Sequence, residues 1–324
     1  MVGTSGSTGV AKLALLTAPA LRASAAGTEE VLGGPGQWLL AVPAHHIAGM
    51  QVLLRSVLAG TQPVVLDRAA GFTSEAFAAA TARLSEQRAY TSLVPTQLTR
   101  LLEEPSGLTA LRRYAAVLVG GAALSPALRA RADASGVRLV TTYGMSETAG
   151  GCIYDGRPLP GARVELTDEG RIRLGGATLA AGYLGDPPAA AAFETDPDGS
   201  RWLRTDDLGA RLPDGRLQVL GRADDVIVTG ALKVHPRIVE DALLAAYPRL
   251  HAAAAVGIPD PEWGQVIAVV LVGAPELDLA DVRERLRADL PAYALPRRLR
   301  HTDALPERGP GKPDRRAIAA WVGQ

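Results

Sequence analysis

A chain of 324 residues, 47% of them hydrophobic, can bury the cores of one large domain and a smaller one, which excludes global disorder. Its 34 Lys and Arg balance its 34 Asp and Glu, and only 4% of residues are aromatic, so the basic stripe and the stacking platforms of a nucleic-acid binder are both missing. The lone cysteine, Cys152, excludes an intrachain disulfide and a multi-cysteine zinc site, and it fits a reducing, cytoplasmic setting.

The N-terminal residues need separating from a secretion signal. Lys12, the apolar run Leu13–Leu21 and Ala23-Ser24-Ala25 imitate a signal peptide with its cleavage site. Met1–Ala11 ahead of them is long and carries no charged side chain, and Arg22 cuts the apolar run short, so retention in the cytoplasm is the expectation. No apolar run approaches a membrane span; the candidate around Ile267–Val272 is strand-sized.

Along the chain, Trp38–Pro43 and Ala115–Val119 are short apolar runs that predict buried strands. Phe77–Gln87 and Gln97–Glu104 have helical spacing, and Val137–Val140 is strand-like. Gly161–Leu174 predicts two strands around a turn at Asp168-Glu169-Gly170, and Leu208–Leu220 repeats that logic around Pro213-Asp214-Gly215. After the polar connector Gly221–Asp225 come a strand (Val226–Val228), a helix (Pro236–Ala246), a strand (Val266–Val272) and a charged helix (Leu279–Leu290), a βαβα-like unit. This interleaving predicts an α/β, mixed α+β class, with domains at 1–221 and 222–324.

Four stretches carry chemistry. Thr4, Ser5, Gly6, Ser7, Thr8 and Gly9, with Lys12 three positions on, suit a polyphosphate: glycines admit backbone N–H groups, hydroxyls donate, and the ammonium balances charge. No Gly-Lys-Ser/Thr ends the run, so it is not a Walker loop, and a flexible tail has the same composition. Thr142-Tyr143-Gly144-Met145-Ser146-Glu147-Thr148 offers a carboxylate among hydroxyls, which can hold Mg²⁺ against phosphate oxygens or simply cap a helix. In Trp202–Gly209, followed by Gly221-Arg222, an Asp can accept both hydroxyls of a ribose with Arg222 behind it, although acidic pairs commonly face solvent. Arg308–Asp314 presents Lys312 on a Gly/Pro loop, where it can stabilise charge as a carboxylate attacks phosphorus, or lie in a basic tail.

Taken in order, these stretches resemble the core motifs of the acyl-adenylate-forming enzymes over nearly the whole chain. TSGSTGVAK is similar to their phosphate loop, and Val119–Pro126 with TYGMSET to their adenine and acyl-site segments. RTDDLG is similar to the ribose motif, GRADDVIVTG to the hinge and GPGK to the adenylation lysine. Pro43–Gly49 resembles the His-x-x-Gly acyl-pocket motif with His46 in the His place. The compact run Gly144–Gly161 resembles the o-succinylbenzoate–CoA ligases of menaquinone synthesis.

The resemblance implies a large adenylate-forming domain, a small mobile C-terminal domain, and ATP, Mg²⁺ and CoA as reactants. It implies that Thr4–Gly9 and Lys12 hold phosphates, that Glu147 binds the metal, and that Gly120, Gly121, Ala122, Thr142, Tyr143, Gly144, Met145 and Ser146 line adenine and acid. Asp207 and Arg222 take the ribose, Lys312 and His46 act on the acid, Asp224 is the hinge, and Gly230 lines the CoA tunnel. His45, His46, Arg55 and Thr142 are the candidates for anchoring a second carboxylate, and Cys152 reads as an inert thiol.

Three positions depart from the family pattern: Ala11 stands for Pro, Leu13 for Gly and Asp206 for Gly. Family members also have a segment ahead of the phosphate loop, so the large domain is expected to be truncated at its start. A CoA ligase for another aryl or acyl acid, a carrier-protein loader and a non-catalytic nucleotide-binding remnant stay open on these residues. A homodimer is the commonest default assembly.

Overall fold

The structure, a computed structural model, describes residues 1–3, 12–67, 71–185, 191–309 and 312–324. The chain divides into two compact units. One comprises Met1–Leu124, Leu128–Thr205 and Arg211–Leu217; the other comprises Ser125–Ala127, Asp206–Ala210 and Gln218–Gln324.

The first unit begins with β1 (Val2–Gly3) and β2 (Leu13–Leu15), which pair antiparallel. Then follow α1 (Ala18–Leu32), β3 (Gln37–Leu40), α2 (Ile47–Leu58), β4 (Val64–Val65), α3 (Ser74–Ala82) and β5 (Ala89–Leu93). Next come α4 (Pro95–Glu103), α5 (Pro105–Leu111), β6 (Ala116–Val119), α6 (Pro126–Ala134) and β7 (Leu139–Met145). Strands β4, β3, β5, β6 and β7 lie parallel in that order, and β8 (Gly150–Tyr154) and β9 (Arg157–Pro158) continue the sheet antiparallel.

Both faces of this sheet are covered, which explains why its strands read as unbroken apolar runs. Leu39, Val117 and Leu139 pack with Phe77, Leu98 and Leu101 on one face. Their neighbours Trp38, Leu40, Leu118 and Val140 pack with Leu32 and Val52 of α1 and α2 on the other. Strands β10 (Ala162–Leu166), β11 (Arg171–Gly176), β13 (Phe193–Thr195), β14 (Arg201–Arg211) and β15 (Leu217–Arg222) build a second sheet. Between them in sequence, β12 (Gly182–Tyr183) adds to β2 and makes a small three-stranded sheet with β1.

The second unit contains β16 (Ile227–Thr229), β17 (Leu232–Val234), α7 (Pro236–Ala246), β18 (Ala252–Asp260), β19 (Gly264–Val272), α8 (Leu279–Leu286) and β20 (Arg298–Thr302). It ends with β21 (Glu307–Gly309), β22 (Lys312–Pro313) and α9 (Arg315–Val322). Its sheet runs β17-β16-β19-β18, with β20 parallel to β19. Val239 and Leu243 of α7 and Val282 and Leu286 of α8 fill one core, and Ile318 and Val322 of α9 fill the other. The expected βαβα order is corrected here. The unit opens with a hairpin, and the Ala-rich segment 252–260 is a strand paired along its whole length with β19. Among the described residues no helix is long and apolar enough to cross a membrane.

Candidate active site

Open parallel sheets bind ligands at the carboxyl ends of their strands, and several predicted residues of the first unit lie there. His46 follows β3, Gly120 follows β6, and Thr142–Met145 finish β7. Val137–Val140 was the expected strand; the observed β7 runs on through the motif, so Thr142, Tyr143, Gly144 and Met145 are held by sheet pairing rather than by a loop.

Close backbone approaches explain the glycines. A Cβ on Gly120 would sit 2.2 Å from Thr142 Oγ1, and one on Gly144 would sit 2.2 Å from the Gly150 carbonyl oxygen. Gly121 turns the chain at φ 80°. A Cβ on Gly49 would meet the Pro43 carbonyl oxygen at 2.2 Å, so the Gly of His-x-x-Gly lets α2 start against the turn that exposes His45 and His46. Those two rings lie 4.3 Å apart.

The first turns of α2 reach the turn that carries Glu147. Gln51 Nε2 donates to the Ala149 carbonyl (2.8 Å), and the side chains of Ile47 and Gln51 approach Gly150. Ser146–Thr148 form a 3-10 turn closed by Ala149 in the left-handed region (φ 52°). Thr148 Oγ1 accepts from the Met145 N–H at 3.0 Å.

Glu147 is 7% exposed. Its Oε1 accepts from the Tyr183 hydroxyl at 2.6 Å; among the described residues its Oε2 accepts no hydrogen bond and no cationic side chain pairs with it. The Lys12 ammonium stands over the same Tyr183 ring, 5.4 Å from its centroid. A sequestered carboxylate with a free oxygen is costly alone and suits a hard cation that completes its shell with phosphate and water oxygens. Among the described residues no group of three or more His, Cys, Asp or Glu is placed to hold a metal ion by itself. Thr4, Ser5, Gly6, Ser7, Thr8 and Gly9 lie outside the described residues.

Within the second unit, Arg222 grips Asp224 with two bonds (2.7 and 3.0 Å) and reaches Asp206 at 3.3 Å. Burial works against the charged guanidinium, but the hydrogen bond to Asp224 and the charges of Asp224, Asp207 and Asp206 outweigh it and raise the pKa. Asp224 is penalised by burial, yet Arg222 holds it below its ordinary value. The ribose and hinge candidates thus form one electrostatic cluster. Gly230 turns the β16–β17 hairpin at φ 55°, where the Trp263 ring would lie 2.8 Å from any Cβ. Lys312 opens β22, paired with Gly309.

Arg55, a candidate anchor for a second carboxylate, stands apart from His46. It lies nine residues along α2, about 13 Å away at 1.5 Å per residue, and is 7% exposed. Its guanidinium stacks on Trp38 (5.0 Å) and donates to the Tyr154 hydroxyl (3.3 Å). Tyr183 was not singled out in the sequence at all; the only signal was a Gly-Tyr pair in a stretch without periodicity. Cys152 is buried, and burial pushes its thiol up to about 12, in keeping with an inert role.

The family model described as AMP-binding enzyme matches residues 2–184, and that of the AMP-binding enzyme C-terminal domain matches residues 239–312. A probable 2-succinylbenzoate–CoA ligase of Mycobacterium tuberculosis is 46% identical over 323 residues, covering 98% of this chain and 83% of the relative. The solved o-succinylbenzoate CoA synthetase of Bacillus subtilis, in complex with its acyl-adenylate intermediate, is 26% identical with a TM-score of 0.84. That match covers 98% of this chain and 68% of the synthetase. The same synthetase in complex with ATP and a magnesium ion gives 26% identity and a TM-score of 0.83, over 97% and 68% of the two chains.

Proposed function

We infer that this chain, which belongs to the AMP-binding enzyme family of acyl-adenylate-forming enzymes, is an ATP-dependent acid–thiol ligase that turns 2-succinylbenzoate into 2-succinylbenzoyl-CoA. The observation that carries the reading is the convergence on one tyrosine, at the carboxyl ends of a parallel sheet, of Lys12 and a buried Glu147 that pairs with no cationic side chain among the described residues. The likeness to 2-succinylbenzoate–CoA ligases supplies the acid.

The chemistry is two displacements. First, a carboxylate oxygen of the acid attacks the α-phosphorus of ATP, and the bond to pyrophosphate breaks. Second, the sulfur of CoA attacks the acyl carbon, the acyl–oxygen bond to AMP breaks, and the thiol proton passes to solvent. The protein's contribution is positioning and charge neutralisation. Lys12, with Thr4–Gly9, takes the β- and γ-phosphates. Glu147 holds Mg²⁺, which neutralises phosphate charge when bound.

Gly120, Gly121, Ala122 and Thr142–Ser146 line the adenine and the acid, and exposed His46 faces the acid. Asp207 and Arg222 take the ribose hydroxyls. Lys312 offsets the charge of the attacking carboxylate, and a turn of the second unit about Asp224 then exchanges Lys312 for Gly230 and the thiol. One site can in this way serve two reactions while excluding water between them. The reaction belongs to menaquinone biosynthesis in the cytoplasm, where ATP and CoA are at hand, and a homodimer is the assembly to test first.

The test is pyrophosphate release with ATP, Mg²⁺, CoA and 2-succinylbenzoate, with the thioester identified by mass. Turnover with only another acid moves the substrate within the family. ATP binding unchanged by Lys312→Ala, together with no turnover of any acid, identifies a nucleotide-binding remnant instead.

A further inference from the structure

We propose that Tyr183 is a positioning residue whose hydroxyl aims Glu147 at the divalent cation while its ring seats Lys12. The inference rests on the reading of Glu147 as the metal carboxylate and deepens it. Three observations carry it. The Tyr183 hydroxyl meets Glu147 Oε1 at 2.6 Å, the range of a charge-assisted O–H···O⁻ bond, which leaves Oε2 as the oxygen with no hydrogen bond among the described residues. The ring is engaged as well, with Lys12 Nζ 5.4 Å from its centroid, a cation–π geometry. The ring itself is steadied edge-on by Phe193, 5.4 Å away.

The backbone explains why a residue so distant in sequence can do this. Tyr183 pairs with Ala14 in the β12–β2 ladder, two residues beyond Lys12. On either side of that pair, the Ala181 N–H donates to Leu15 (2.8 Å) and the Leu184 N–H donates to Leu13 (3.0 Å). The same segment binds the metal-site turn through the Ala180 N–H and the Glu147 carbonyl (2.8 Å), and Ser146 Oγ donates to the Gly3 carbonyl (3.2 Å). The residues just before and just after the phosphate-loop motif are therefore both tied to the turn that carries Glu147. Tyr183 is the side chain that joins the two charges themselves. A partner that fixes a ligand's orientation matters to metal affinity about 10- to 100-fold.

The experiment measures ATP affinity by titration calorimetry, once with EDTA and once with Mg²⁺, and takes the ratio as the metal-linked gain. Tyr183→Phe keeps the ring and loses the hydroxyl. It is expected to cut the gain about 10-fold while leaving the EDTA affinity and the melting temperature in place. Tyr183→Leu is expected to weaken the EDTA affinity as well, because Lys12 loses its seat. Glu147→Gln abolishes the gain, and adding Tyr183→Phe to it changes nothing further, the non-additivity of two residues acting through one ligand. An undiminished gain in Tyr183→Phe alongside a lost gain in Glu147→Gln overturns the proposal and spares the metal reading. A Tyr183→Phe protein that loses EDTA affinity and melting temperature to the same degree as the gain assigns Tyr183 a purely structural role. A gain that survives Glu147→Gln overturns the metal reading itself.

Discussion

Gly120 and Thr142 stand so close that one methyl group should uncouple the two strands that carry the nucleotide-site segments. In Gly120→Ala the new Cβ falls 2.2 Å from Thr142 Oγ1 and 2.9 Å from the Thr142 carbonyl oxygen, well inside the ~3.5 Å of ordinary non-bonded contact. Gly120 is not in the left-handed region, so the cost is steric alone. Thr142 cannot easily turn away, because a β-branched side chain in a strand has few rotamers and its hydroxyl donates to the Val119 carbonyl at 3.4 Å. Overpacking of this kind costs about 2–3 kcal/mol. Thr142→Ala alone loses one long hydrogen bond, about 0.5–1 kcal/mol.

The double variant removes the 2.2 Å clash and keeps only the 2.9 Å contact, so its loss should fall short of the sum of the two single losses by about 1 kcal/mol or more. Urea unfolding midpoints of the four proteins measure this coupling, and ATP affinity should follow the same order. Strictly additive losses would show that the two residues do not touch as described, and the β6–β7 geometry of the site would have to be abandoned.

Other consequences are quicker to check. Burial pushes the Cys152 thiol from 9.0 up to about 12, so the fold favours its neutral form. Its contribution to stability is therefore whole below pH 9 and is lost as the pH rises from 9 through 12. The melting-temperature gap between wild type and Cys152→Ala should shrink over that range, and at pH 8 the native thiol should resist Ellman's reagent until the protein is unfolded. Arg315 ties α9 to Asp225 (3.2 Å), Glu240 (2.5 Å) and the Ala255 carbonyl (2.7 Å). Arg315→Ala strands two partly buried carboxylates and should cost on the order of 3 kcal/mol in thermal unfolding; a loss below 1 kcal/mol would mean that water replaces the guanidinium. Arg55→Ala should lower stability by about 1–2 kcal/mol through its lost stacking and hydrogen bond, without raising the KM for the acid. His46→Ala should raise that KM.

Apolar runs made much of the fold legible. Strands β3 and β6 are short, bounded and buried on both faces, and α7 matches its expected Pro236–Ala246 span because Pro236 fixes its start. What failed did so for physical reasons. Ala252–Asp260 opens with four alanines, which favour helix locally, yet pairing with β19 makes it a strand. Helix α8 ends at Leu286 rather than Leu290, because its last carbonyls are taken up by turn bonds from Arg287 and Asp289. α3 likewise stops at Ala82, short of Gln87.

In the candidate site, Lys12 and Glu147 stood out in their motifs as the expected phosphate and metal residues, and the structure adds that both meet Tyr183. Tyr183 itself did not stand out. Its contacts with Lys12 and Glu147 exist only once β12 lies beside β2, a pairing that no local pattern encodes. The placement of Arg55 was equally hidden: a cation near a histidine in sequence is carried along the helix to Trp38 and Tyr154.

The central claim is that acid and ATP react on this protein before CoA takes part. The direct measurement is a quench of enzyme, ATP, Mg²⁺ and 2-succinylbenzoate in the absence of CoA, analysed by mass spectrometry. The account predicts 2-succinylbenzoyl-AMP with one pyrophosphate for each adenylate, none of either in Lys312→Ala on the same timescale, and conversion to thioester and AMP when CoA is added. Release of ADP and phosphate, or a thioester that forms with no adenylate ever detectable, would contradict it.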